Sequence, residues 1–112
     1  MLIQKAPGQN DIITIKLITG DELVAKLITF DQDKISITKP MLVTVGMDEK
    51  TGQVGIQMSP YFLMTADHDS NFTIKTSHII VCNLASEAAK SGYIQNTSGL
   101  RITGSTSKGL VI

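Results

Sequence analysis

A small, strongly bent antiparallel β-barrel of five strands is the fold class that three observations in this sequence predict. Isoleucine, valine, leucine and threonine alternate with polar residues at period two over most of residues 11–84. Four polar breaks, at Gly20-Asp21, Asp31-Gln32-Asp33-Lys34, residues 48–52 and residues 66–71, divide that span without room for a helical crossover. No stretch before residue 85 has helical composition, and closure is how a short all-β chain disposes of its sheet edges.

The first strand is "DIITIKLIT", residues 11–19, whose Ile13, Ile15 and Leu17 share one side of an extended chain. Gly20-Asp21 combines a residue free to take positive φ with one that tolerates a tight turn, so "ELVAKLITF" returns as an antiparallel second strand. Leu23, Ala25 and Leu27 fall on one side of it, with Val24, Ile28 and Phe30 on the other. The third strand begins at "ISIT" and meets Pro40, which cannot donate a ladder hydrogen bond and marks a bend before "MLVTVGM". "QVGIQMSPYFLMT", residues 53–65, is the fourth strand, and "FTIKTSHIIVCNL", residues 72–84, is the fifth. Phe30, Phe62 and Phe72 are assigned to the core, as are the strand methionines Met41, Met47, Met58 and Met64. "ASEAAKSGYIQN" predicts a short helix with Ser86 as N-cap and Glu87 at its positive end, weakened by Gly92. The remaining "TSGLRITGSTSKGLVI" reads either as a flexible tail or as an arm that orders on a neighbour.

A chain of 112 residues suits one hydrophobic core, giving an N-terminal extension over 1–11, the barrel over 12–84 and a helix or tail over 85–112. Ten basic and ten acidic side chains leave no net charge, so no whole-molecule field draws the protein to nucleic acid or an anionic membrane. Any such binding must come from a local patch. Cys82 has no disulfide partner and lies in the apolar run "HIIVCNL", where it reads as a small core residue in a reducing compartment. The start lacks a secretory h-region and no run reaches the ~18 apolar residues of a membrane span, so the expectation is a cytoplasmic protein.

Asp31 follows a strand-final aromatic and is read as a turn cap, not as an acid catalyst. Asp67, His68 and Asp69 have ligand chemistry, but three consecutive loop residues seldom converge on one ion and no metal is expected there. No phosphate-binding glycine loop, zinc-protease or nucleophile-elbow motif occurs, so neither an enzyme nor a cofactor is predicted.

Ile13, Ile15, Leu17, Gly20, Ala25, Leu27, Phe30 and Asp31, in that spacing, resemble the first motif of the Sm-like family, the group of Sm, Lsm and Hfq-type proteins. Alanine stands at the small position where that motif carries glycine. "IKTSHI", Ile74 to Ile79, resembles the second motif, with lysine for its arginine and threonine for its glycine. The resemblance covers about residues 12–82 and implies an SH3-type five-stranded barrel that pairs strand four of one copy with strand five of the next into a homo-oligomeric ring. It also implies RNA or single-stranded nucleic acid as partner. The family's stacking and base-reading positions align with Lys34 and Ile35, and its basic position with Lys75. Isoleucine cannot hydrogen-bond a base. Lys34, Lys75 and His78 are therefore the candidate nucleic-acid-binding residues. His78 has two readings, an RNA contact or a histidine that holds subunits together. The alternative function is an Sm-like oligomeric structural or protein-interaction module that has lost nucleic-acid binding, with the segment after residue 85 facing the partner.

Overall fold

The computed structural model describes residues 7–106, with side chains as far as residue 98; the ends of the predicted extension and tail, residues 1–6 and 107–112, lie outside it. Its elements are β1 Ile12–Leu17, β2 Glu22–Phe30, β3 Lys34–Met47, β4 Val54–Pro60, β5 Asn71–Lys75, a 3-10 turn Thr76–His78, β6 Ile79–Leu84 and helix α1 Glu87–Thr106. All ladders are antiparallel, in the order β4, β3, β2, β1, β6, with β5 pairing β3. β4 and β5 are successive partners of one long strand, since β4 lies along Met41–Met47 and β5 along Lys34–Thr38. Together they make a single fourth rail of a five-railed, bent barrel.

The alternation of apolar residues works as predicted. Ile13, Ile15 and Leu17 of β1, Leu23, Ala25 and Leu27 of β2, and Ile35 and Ile37 of β3 form the buried interior, joined by the half-buried Phe72, Ile74, Ile79 and Cys82. Gly20 closes the first hairpin at φ 97, a conformation that a side chain would strain. The bend of β3 also falls where proline predicts it. Lys39 takes φ 52 immediately before Pro40, and the β2–β3 register shifts between Val24 and Lys26 opposite that point.

Three elements differ from the sequence reading, each for a tertiary reason. The fourth strand stops at Pro60, and Tyr61 to Met64 enter a loop because β3 turns away at its bend and leaves no straight rail to follow. The predicted fifth strand is two strands joined by the 3-10 turn, which lets β5 remain on β3 while β6 crosses to β1. The helix is 20 residues long, not short. Ser86 does cap it, accepting from the Ala89 N–H at 3.1 Å.

Gly92 lowers helix propensity and faces the sheet beside Met58, where a Cβ would make an ordinary contact at 3.5 Å. Tyr93 is buried on the outer sheet face with Ile12, Val24 and Met41. Its hydroxyl lies 3.1 Å from the Thr38 carbonyl and 2.9 Å from that of Lys39, the two residues that enter the bend. Burial raises the phenol's pKa, so the group stays a donor. Tyr93→Phe should lower stability by about 1–2 kcal/mol, the scale of a lost buried hydrogen bond. Urea titration of the variant against the parent protein measures it.

The remaining corrections concern aromatic and sulfur side chains assigned to the core. Phe30 is 52% exposed at the end of β2, Phe62 lies on the loop stacked against Phe72 at 4.7 Å, and Met47 and Met64 are exposed. Met41 and Met58 pack as predicted, both beside Tyr93.

Candidate nucleic-acid interface

Lys34 and Lys75 come together at one end of the barrel, and His78 follows three residues later in the chain. Lys34 and Lys75 are direct cross-strand partners at the start of β3 and the end of β5, and the 3-10 turn that follows Lys75 ends on His78. All three side chains are exposed. Like charges placed opposite one another in a ladder repel, and neither lysine is in a close ion pair among the described residues, although Asp31 and Asp33 of the adjoining turn offset part of their charge.

Backbone hydrogen bonds hold this spot. The Asp31 carboxylate accepts from the Asp33 N–H at 2.8 Å and the Lys34 N–H at 2.9 Å, closing the β2–β3 turn as the sequence predicts. Those two N–H groups, Asp33 first, hold the Asp31 carboxyl below its ordinary pKa. The Thr76 hydroxyl donates to the Gln32 carbonyl at 2.7 Å and the Thr76 N–H to that of Asp33 at 2.9 Å, tying the 3-10 turn to the β2–β3 turn. The Ile18 N–H donates to the His78 carbonyl at 2.9 Å, which adds the end of β1 to the same platform. Thr76 thus does structural work at the place where the motif carries glycine.

Ile35 has a different fate. It follows Lys34 in β3 and points inward, fully buried against the barrel core. The position aligned with a base-reading asparagine is therefore closed to solvent. What this end offers chemically is two ammonium groups, an imidazole and the hydroxyls of Ser36 and Thr73, which lie 3.3 Å apart two positions along the ladder, beside the carboxylates of Asp31 and Asp33. That set suits phosphate oxygens, without a means of telling one base from another.

The strands that end the sheet fall within the fourth and fifth predicted strands, the two through which the family resemblance implies pairing between copies. Among the described residues, β4 is paired only to β3 and β6 only to β1. Val54 and Ile56 are exposed on the first strand, Ile80 and Val81 on the second. Period-two patterning marks these residues as apolar but not as uncovered, because it carries no information about which strand ends the sheet. Asp67, His68 and Asp69 form a turn in which the Asp67 carboxylate accepts from the Asp69 N–H, while Asp69 pairs with Lys39 at 3.5 Å. Among the described residues no three metal-ligating side chains converge, and no helix is long and apolar enough to cross a membrane.

No curated protein matches the sequence. A family model described as the Sm_like domain matches residues 14–94, from Thr14 within β1 to Ile94 of the helix. The bent antiparallel barrel, the turn glycine, the Phe30-Asp31 turn and the short 3-10 link all lie within that match: the chain belongs to the Sm-like family.

Proposed function

We propose that this protein assembles into a homo-oligomeric ring through β4 and β6 and binds RNA or other single-stranded nucleic acid weakly, by phosphate contacts, without catalysis. Sm-like domains often form rings and bind RNA. The observation that carries the reading for this chain is the opposition of Lys34 and Lys75 on a platform of tied turns, with His78 three residues after Lys75. One such spot on a neutral protein is weak. Repetition around a ring presents several at fixed spacing to one strand, and the second and later contacts form at high effective concentration. The unpaired edges with their exposed apolar residues support assembly. With Ile35 buried, binding is expected to be indifferent to base sequence. A cytoplasmic location fits this reading.

The buried Ile35, together with the neutral charge, also favours the second reading, a ring that serves as a structural or protein-interaction module with α1 facing the partner. Titration of a fluorescent single-stranded oligonucleotide at two or more salt concentrations separates the two. Counterion release from single strands gives a log–log slope of about −0.7 per phosphate contact. Lys75→Ala is expected to flatten that slope by about 0.7 for every subunit in contact and to weaken binding at low salt. Unchanged binding in Lys75→Ala, or none by the assembled protein at low salt, would select the module instead.

A further inference from the structure

We infer that the loop of residues 61–70 is an assembly element, whose tip, Leu63 and Met64, packs on an apolar patch formed by Ile18, Ile80 and Val81 on the next copy of this chain. The inference rests on the ring reading and adds to it a contact that strand pairing alone does not provide. The loop interrupts the rail between β4 and β5. It is held at both ends. The Tyr61 N–H donates to the Pro40 carbonyl at 2.9 Å, and the Tyr61 hydroxyl to the Asp21 carboxylate at 3.2 Å. Phe62 stacks on Phe72, and at the far end the Thr38 hydroxyl lies 3.1 Å from the Asp69 carbonyl. Leu63 and Met64 project from this fixed base, Met64 at 96% exposure. Large apolar side chains held out on an anchored loop mark a contact surface.

The receiving patch lies at the other sheet edge. Ile18 bonds through its N–H to His78, beside the start of β6, where Ile80 and Val81 are also exposed. Every ladder in the sheet is antiparallel. If β4 pairs with β6 of the next copy in the same sense, the Pro60 end of β4 meets the Ile79 end of β6. The loop tip then falls on Ile18, Ile80 and Val81. Charge agrees with this docking. Exposed Asp67 flanks the tip, and exposed Lys16, the ladder partner of Val81, flanks the patch. A head-to-tail contact of unlike surfaces is the kind that closes a ring.

The test places the photoreactive residue p-benzoyl-L-phenylalanine at position 64 of the full chain, with light scattering before irradiation and peptide mapping after it. Intermolecular crosslinks to Ile18 or to Ile80-Val81 are expected. A Leu63→Ser, Met64→Ser double variant, altered only at exposed positions, should raise the concentration at which the ring dissociates by roughly tenfold or more. An intact ring that crosslinks elsewhere, only within its own chain, or not at all overturns the docking and leaves the ring standing. A monomeric parent protein overturns both.

Discussion

Ile35→Asn is expected to unfold this protein, not to give it a base-reading site. The family alignment invites the substitution, since asparagine is what the position carries where bases are read. The fold forbids it here. Ile35 is 0% exposed and packs among Ile13, Ile15, Leu23 and Leu27 in the barrel interior. Removing its side chain forfeits apolar burial and leaves space behind, typically 2–5 kcal/mol for a large-to-small core change. The incoming amide adds the cost of burying a polar group with no partner, about 1–3 kcal/mol on mutational scales. The sum is comparable with the entire stability of an ordinary domain, about 5–15 kcal/mol. Circular dichroism and urea titration should show a chain that is unfolded or melts far below the parent. A folded Ile35→Asn variant with near-parental stability would mean that the side chain can swing to the surface. In that event β3 would start in a different register from the one that sets Lys34 opposite Lys75.

The second large effect is on assembly. If β4 closes the proposed ring, Ile56→Lys is expected to give folded monomers and, with the ring, to remove the proposed binding of nucleic acid. Ile56 is 72% exposed on β4, so the monomer loses little when lysine replaces it. A lysine on an open edge is a common device for discouraging strand addition, and its ammonium group would have to be desolvated where β4 meets β6 of a neighbour. Loss of multivalency should then lower apparent affinity by 10² to 10⁴, although Lys34, Lys75 and His78 are untouched and far along the chain. Light scattering gives the mass, and thermal melting confirms the fold. An Ile56→Lys protein that keeps the parental mass would remove β4 from the assembly interface.

How far the sequence reaches differs from element to element. The interior of the barrel follows from period-two alternation, because a strand with one buried face must repeat its apolar residues on that face: Ile13, Ile15, Leu17, Leu23 and Leu27 were identifiable at once. Gly20 and Pro40 announce a turn and a bend because each restricts or frees the backbone locally. Asp31 announces its cap for the same reason, since its acceptors and the N–H groups that they meet lie within three residues.

The site is a different case. Lys34 and Lys75 are 41 positions apart, and only the pairing of β5 with the start of β3 makes them neighbours. The resemblance to a family supplied what local physics could not. Phe30 and Met64 show the opposite failure: as apolar residues within strand-like patterns they read as core, yet one sits at the end of the barrel and the other on a loop. Gly92 remains unfavourable for a helix, and the burial of the neighbouring Tyr93, which local propensity does not foresee, holds that turn on the sheet.

The local code therefore determined which residues face inward, where the chain turns and that the class is all-β, since each of these depends on interactions within a few positions or on one repeating period. Tertiary structure alone decided that the fourth rail is broken into β4 and β5, that α1 extends for 20 residues, and that Tyr93 of it is buried against the sheet. It also decided that two lysines should stand together. These are choices among long-range pairings, and their free energies come from surfaces that meet only after the barrel has closed.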